Sequence, residues 1–70
     1  MKIPQDIISL FESYIMEHID EDIIMIPLDW VCRNCSYPRN DIIFYFFMYY
    51  YSVGCDVFMD IDERYLIYAV

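Results

Sequence analysis

Glycine is almost missing from this sequence: Gly54 is the only one in 70 residues. That removes the glycine-rich loops that cradle phosphates, which need backbone N–H groups free to approach the anion. Basic side chains are scarce as well. Lys2, Arg33, Arg39 and Arg64 stand against twelve acids, and the net charge is −8. Phosphate backbones and anionic lipid repel such a chain, so neither nucleic acid nor membrane is expected as a partner. Histidine occurs once, at His18, and Ser9, Ser13, Ser36 and Ser52 lie in no nucleophile-elbow context. No catalytic residue and no cofactor are expected, and the sequence does not read as an enzyme.

Long apolar runs are lacking too. The longest uncharged stretch, residues 42–55, lies between Asp41 and Asp56 and is shorter than the ~20 residues a bilayer requires. Near the N-terminus, Ile3-Pro4-Gln5-Asp6 breaks any signal-peptide core. No internal repeat or linker divides residues 1–70, which read as one domain. The expectation is a cytoplasmic protein with Cys32, Cys35 and Cys55 reduced.

What the chain does have is aromatic and apolar surface. Seven of its fourteen aromatic residues fall in one run of eight: Phe44, Tyr45, Phe46, Phe47, Met48, Tyr49, Tyr50 and Tyr51. The apolar fraction is 60%, against roughly 45–50% in an average domain. A chain this short, near the size where a single core is marginal, cannot hide so much. Association follows, as a homodimer or in a heterocomplex with a protein partner. The acids gather in two blocks: Glu17, Asp20, Glu21 and Asp22, then Asp56, Asp60, Asp62 and Glu63. They keep an apolar protein soluble, or they serve a basic protein partner or mimic a polyanion.

Helical punctuation dominates the element pattern. Pro4 and Asp6 suit a first turn. Ile7, Phe11, Tyr14 and His18 then recur at helical spacing, widened by Leu10 and Ile15, up to a stop near Asp20. Residues 20–40 read as a long connection interrupted by Pro27 and Pro38. Within it, Ile23-Ile24-Met25-Ile26 is a short strand or an apolar loop, and Leu28, Trp30 and Val31 are core plugs. The aromatic segment has the composition of a strand but the boundaries of a helix. Asn40 suits the N-cap, Asp41 the first turn, and Gly54 a left-handed C-cap. On that helix Asp41, Tyr45, Tyr49 and Ser52 share one face, while Ile43, Phe46, Phe47 and Tyr50 share another. A last helix is predicted over residues 60–68, with Asp60 and Glu63 spaced as a capping box. The fold class is therefore all-α, a small bundle of three to four helices with a long first connection.

Cys32-Arg33-Asn34-Cys35 is the one recognisable chemical motif. Ordinary reduced cysteines are the leading reading. A redox dithiol would need a βαβ setting that the pattern does not offer. A zinc set of Cys32, Cys35, Cys55 and His18 is the other alternative, without the second paired knuckle of a zinc ribbon. His18 fits a helix C-terminus, where a cation complements the dipole.

The order of elements resembles that of acyl-carrier proteins: an amphipathic helix, a long loop, a central helix behind a polar cap, then a short acidic helix. The resemblance spans most of the chain, from Ile7 to Tyr65. Carriers bear phosphopantetheine on the serine of an Asp-Ser-Leu motif; here that place reads Arg39-Asn40-Asp41-Ile42, and Ser36 lies out of register before Pro38. It thus implies a degenerate acyl-carrier-like protein without the carrier chemistry.

The leading functional expectation is a non-enzymatic interaction module. It binds a protein partner through the aromatic helix face formed by Tyr45, Tyr49 and Ser52 with Tyr51. The runner-up is an acyl-carrier-like or small-ligand protein holding an apolar group among Phe46, Phe47 and Met48; a small zinc domain is third.

Overall fold

A computed structural model of the chain describes residues 2–70. Its elements are α1 (Gln5–Glu17), β1 (Ile23–Pro27), α2 (Leu28–Arg33), α3 (Arg39–Ser52), β2 (Asp56–Met59) and β3 (Tyr65–Ala69). The three strands form an antiparallel sheet in the order β1-β3-β2, and the helices cover one of its faces. This corrects the expected all-α, acyl-carrier-like bundle to an α+β fold.

The second half of the chain carries most of that correction. In place of a helix over residues 60–68 there is a β2–β3 hairpin, and Asp60 shows why the two are confused. Its Oδ1 accepts the backbone N–H groups of Arg64 and Tyr65, each at 2.7 Å, and Glu63 turns the chain at φ 54°. A carboxylate that accepts backbone N–H groups serves a turn as readily as a helix start. The Tyr-Leu-Ile-Tyr run that follows favours strand. The residue 20–40 connection also holds structure: its apolar run is β1, and α2 follows without a break.

The first and central helices form where expected, with different ends. α1 stops at Glu17, three residues before Asp20. His18 closes it, its N–H bonding Ile15 O at 3.1 Å and its Nδ1 donating to Tyr14 O at 2.9 Å. At the start of α3 the N-cap is Pro38, not Asn40. Its far end is closed by Gly54 at φ 84°. Gly54 N–H donates to Tyr51 O (3.1 Å) and Cys55 N–H to Tyr50 O (3.0 Å), the paired bonds of a Schellman closure.

Period-two alternation sends Ile24 and Ile26 of β1 and Leu66 of β3 into the core. There they meet Ile7, Phe11 and Ile15 of α1, Leu28 and Val31 of α2, and Ile42, Phe46 and Tyr50 of α3. Edge-to-face aromatic contacts run through the middle, Phe11–Phe46 at 5.3 Å and Tyr50–Tyr68 at 5.3 Å between ring centroids. Trp30 is a half-buried plug against Tyr14. Arg39 clasps the other end of the fold, pairing with Asp29 at 3.1 Å and donating to the carbonyl of Glu63. Among the described residues, no helix is long and apolar enough to cross a membrane.

Candidate functional site

The sheet face turned away from the helices is apolar. β1 is Ile-Ile-Met-Ile-Pro, with no polar residue at either parity. Sending Ile24 and Ile26 inward therefore forces Ile23 and Met25 outward, and these are 58% and 45% exposed. On β2, Val57 and Met59 turn inward and Phe58 outward, 54% exposed. β3 contributes Tyr65, Ile67 and Ala69 to the same open side. The register aligns them: Met25, Ile67 and Phe58 form one row across all three strands, with Ile23, Ala69 and Asp56 in the next and Pro27 beside Tyr65 in the third. Open faces of antiparallel sheets ordinarily carry polar residues at these positions. Here Asp56 is the only charge among the eight.

The charges stand at the ends of the strands instead. Asp20, Glu21 and Asp22 lead into β1, where Val70 N–H donates to Asp22 O at 2.9 Å and continues the ladder. Asp56 opens β2 at that same end. Asp60, Asp62 and Glu63 occupy the hairpin turn at the other, with Arg64 the one cation within it. Arg39–Asp29 is the only ion pair among the described residues, so neither acidic block is neutralised by a salt bridge. The backbone N–H groups of Tyr65 and Arg64 hold the Asp60 carboxyl below its ordinary range. Acids from segments far apart in sequence thus stand at both ends of one apolar surface.

The tyrosine face is placed differently. α3 buries Ile42, Phe46 and Tyr50 and exposes Phe44, Met48 and Tyr51, so its solvent stripe falls one residue before the Tyr45–Tyr49–Ser52 face. Tyr45 is half-buried edge-on to Tyr37 at 5.6 Å. Tyr49, also half-buried, donates its hydroxyl to Glu12 at 3.3 Å, and burial followed by that carboxylate pushes its pKa up. Ser52 Oγ donates to Tyr49 O at 2.8 Å. Of the four, Tyr51 and Ser52 are exposed. Tyr45 and Tyr49 join α3 to the rest of the molecule.

The cysteines and His18 do not assemble. Cys32 and Cys35 lie at and beyond the end of α2, Cys55 before β2, and all three are free and half-buried. Among the described residues no group of three or more His, Cys, Asp or Glu side chains stands close enough to hold a metal ion. Cys55 Sγ lies 3.4 Å from the Tyr68 hydroxyl, and this contact is the main cause of that tyrosine's raised pKa. Phe46, Phe47 and Met48 occupy three environments, buried, half-buried and exposed. A cleft of about 260 Å³ opens elsewhere, between Glu12, Ile15, Met16, Ile19, Tyr50 and Tyr68. It lies below the roughly 300–1,000 Å³ of ligand pockets.

Sequence reasoning missed Ile23, Met25, Phe58 and Ile67. The available signal was β1 itself: a strand apolar at both parities must present apolar side chains on both faces. The chain matches no protein-family model, no curated protein and no solved structure.

Proposed function

We propose that the protein is a non-enzymatic interaction module that binds a protein partner through the open face of its sheet. The observation that carries this reading is the row Met25–Ile67–Phe58, apolar across all three strands and uncovered by any helix. An apolar patch rimmed by charge is what a protein-binding surface presents. The exposed α3 stripe of Phe44, Met48 and Tyr51 is apolar too, but it is one residue wide, whereas the sheet presents three aligned strands. A cytosolic location accords with three unpaired cysteines.

Capture from the native host by the whole chain tests the reading. A partner held by the wild type and lost by Met25→Ser/Phe58→Ser, with an unchanged circular dichroism spectrum, is the expected result. Retention by that variant, with loss on Phe44→Ser/Tyr51→Ser, would move the site to α3.

A further inference from the structure

We infer that the occupant of the open face is a basic amphipathic helix of a partner protein. Its apolar stripe lies over Met25, Ile67 and Phe58, and Lys or Arg residues stand at both of its ends. The inference rests on the reading of that face as the binding surface and adds the chemistry of what binds there.

Size comes first. Three strands spaced about 4.8 Å apart, each about five residues long at roughly 3.3 Å per residue, make a face of about 15 by 17 Å. That is on the order of 250 Å² in projection, a narrow seat beside the broad contact that two globular proteins make. A single helix, about 10 Å wide, fits it, and 17 Å corresponds to about eleven helical residues.

Backbone chemistry narrows the occupant further. β3 is paired on both sides, so the face itself offers side chains, and the unpaired N–H and C=O groups point sideways from the outer edges of β1 and β2. An extended peptide lying on it would bury its own backbone groups unpaired, whereas a helix arrives with them satisfied. Charge then fixes the ends. Asp20, Glu21, Asp22 and Asp56 stand at one end of the strands, and Asp60, Asp62 and Glu63 at the other, where Arg64 and Arg39, bonded to the Glu63 carbonyl, offset part of their charge. A second copy of this chain would bring acids over acids, each copy carrying −8. A helix with basic ends instead meets opposite charge at both.

Three synthetic helical peptides with one shared leucine stripe test this against the isotope-labelled whole chain: one with Lys at both ends, one with Gln, one with Glu. The Lys-ended peptide should bind at least about tenfold tighter than the Glu-ended one. The difference should shrink between about 0.05 M and about 0.5 M salt, with amide shifts centred on Ile23, Met25, Phe58 and Ile67. Equal binding of all three at that face overturns the charge assignment and leaves the face standing. Shifts centred on Phe44, Met48 and Tyr51 overturn the face itself. Sedimentation supplies the remaining arm: a dimer that Phe58→Ser dissociates assigns the face to a second copy. Failure of every peptide to bind also overturns the helix as occupant, while host capture judges the face separately.

Discussion

Gly54 sits at φ 84°, where L side chains are strained, and a Cβ added there would meet nothing within 4 Å. Gly54→Ala should therefore cost backbone strain alone, about 1–2 kcal/mol, and Gly54→Ser about as much. Urea denaturation checks this: the midpoint should fall with an unchanged slope, and an unmoved midpoint would contradict the left-handed closure of α3. Asp60 permits a test of sign. The fold favours its ionised form, through the N–H groups of Tyr65 and Arg64. Its contribution is present above the ordinary Asp range and is lost as pH falls through the lowered folded pKa. An asparagine at 60 still accepts hydrogen bonds but does not titrate. Asp60→Asn should thus lose less of its urea midpoint than the wild type between about pH 5 and pH 2; equal losses would mean the carboxylate does not hold the turn.

At the scale of elements, α1 and α3 were legible because each carries a boundary signal that means one thing. Gly54 after an aromatic run can close a helix, and Pro4 can open one. The hairpin was illegible because Asp60 and Glu63 fit two structures, and because strands apolar on both faces erase the alternation that identifies a half-buried strand. The open sheet face was hidden by the same cause. Within α3 the core side was read correctly at Phe46 and Tyr50, but Tyr45 and Tyr49 flank the core and do not face away from it. Phe46→Ala should therefore cost about 3–5 kcal/mol. Phe58→Ser, on an exposed strand face, should stay within about 0.5 kcal/mol. Tyr45→Ser/Tyr49→Ser should fall between them, because it removes the Tyr37 and Glu12 contacts. Thermal or urea melts rank the three, and a double tyrosine variant as stable as the wild type would show those contacts to be idle.

Across the whole molecule, the fold holds several tyrosines neutral. Burial, then the Glu12 carboxylate, raises the Tyr50 pKa, and Tyr14, Tyr49 and Tyr68 are raised as well. The fold favours the neutral phenols, so this contribution is whole below the ordinary tyrosine pKa of about 10 and declines as pH rises past it. The Tyr50 hydroxyl is buried and meets no hydrogen-bonding group among the described residues. Tyr50→Phe should consequently raise stability at neutral pH by about 1 kcal/mol or more and blunt the loss above pH ~10. Denaturation midpoints at about pH 7 and pH 11 decide it, and a lower midpoint at neutral pH would show that the hydroxyl has a partner after all.

The position of β3 also governs how the chain is made. β1 and β2 do not pair with one another; each pairs only with β3, which follows both in the chain. At roughly 5–20 residues per second, a ribosome takes roughly 2–9 s to travel from Ile23 to Ala69. Throughout that interval β1 has no strand to pair with, and both of its faces are apolar. The nascent chain is therefore most adhesive before its sheet can exist, and it needs shelter from other nascent chains then, whatever it binds once folded.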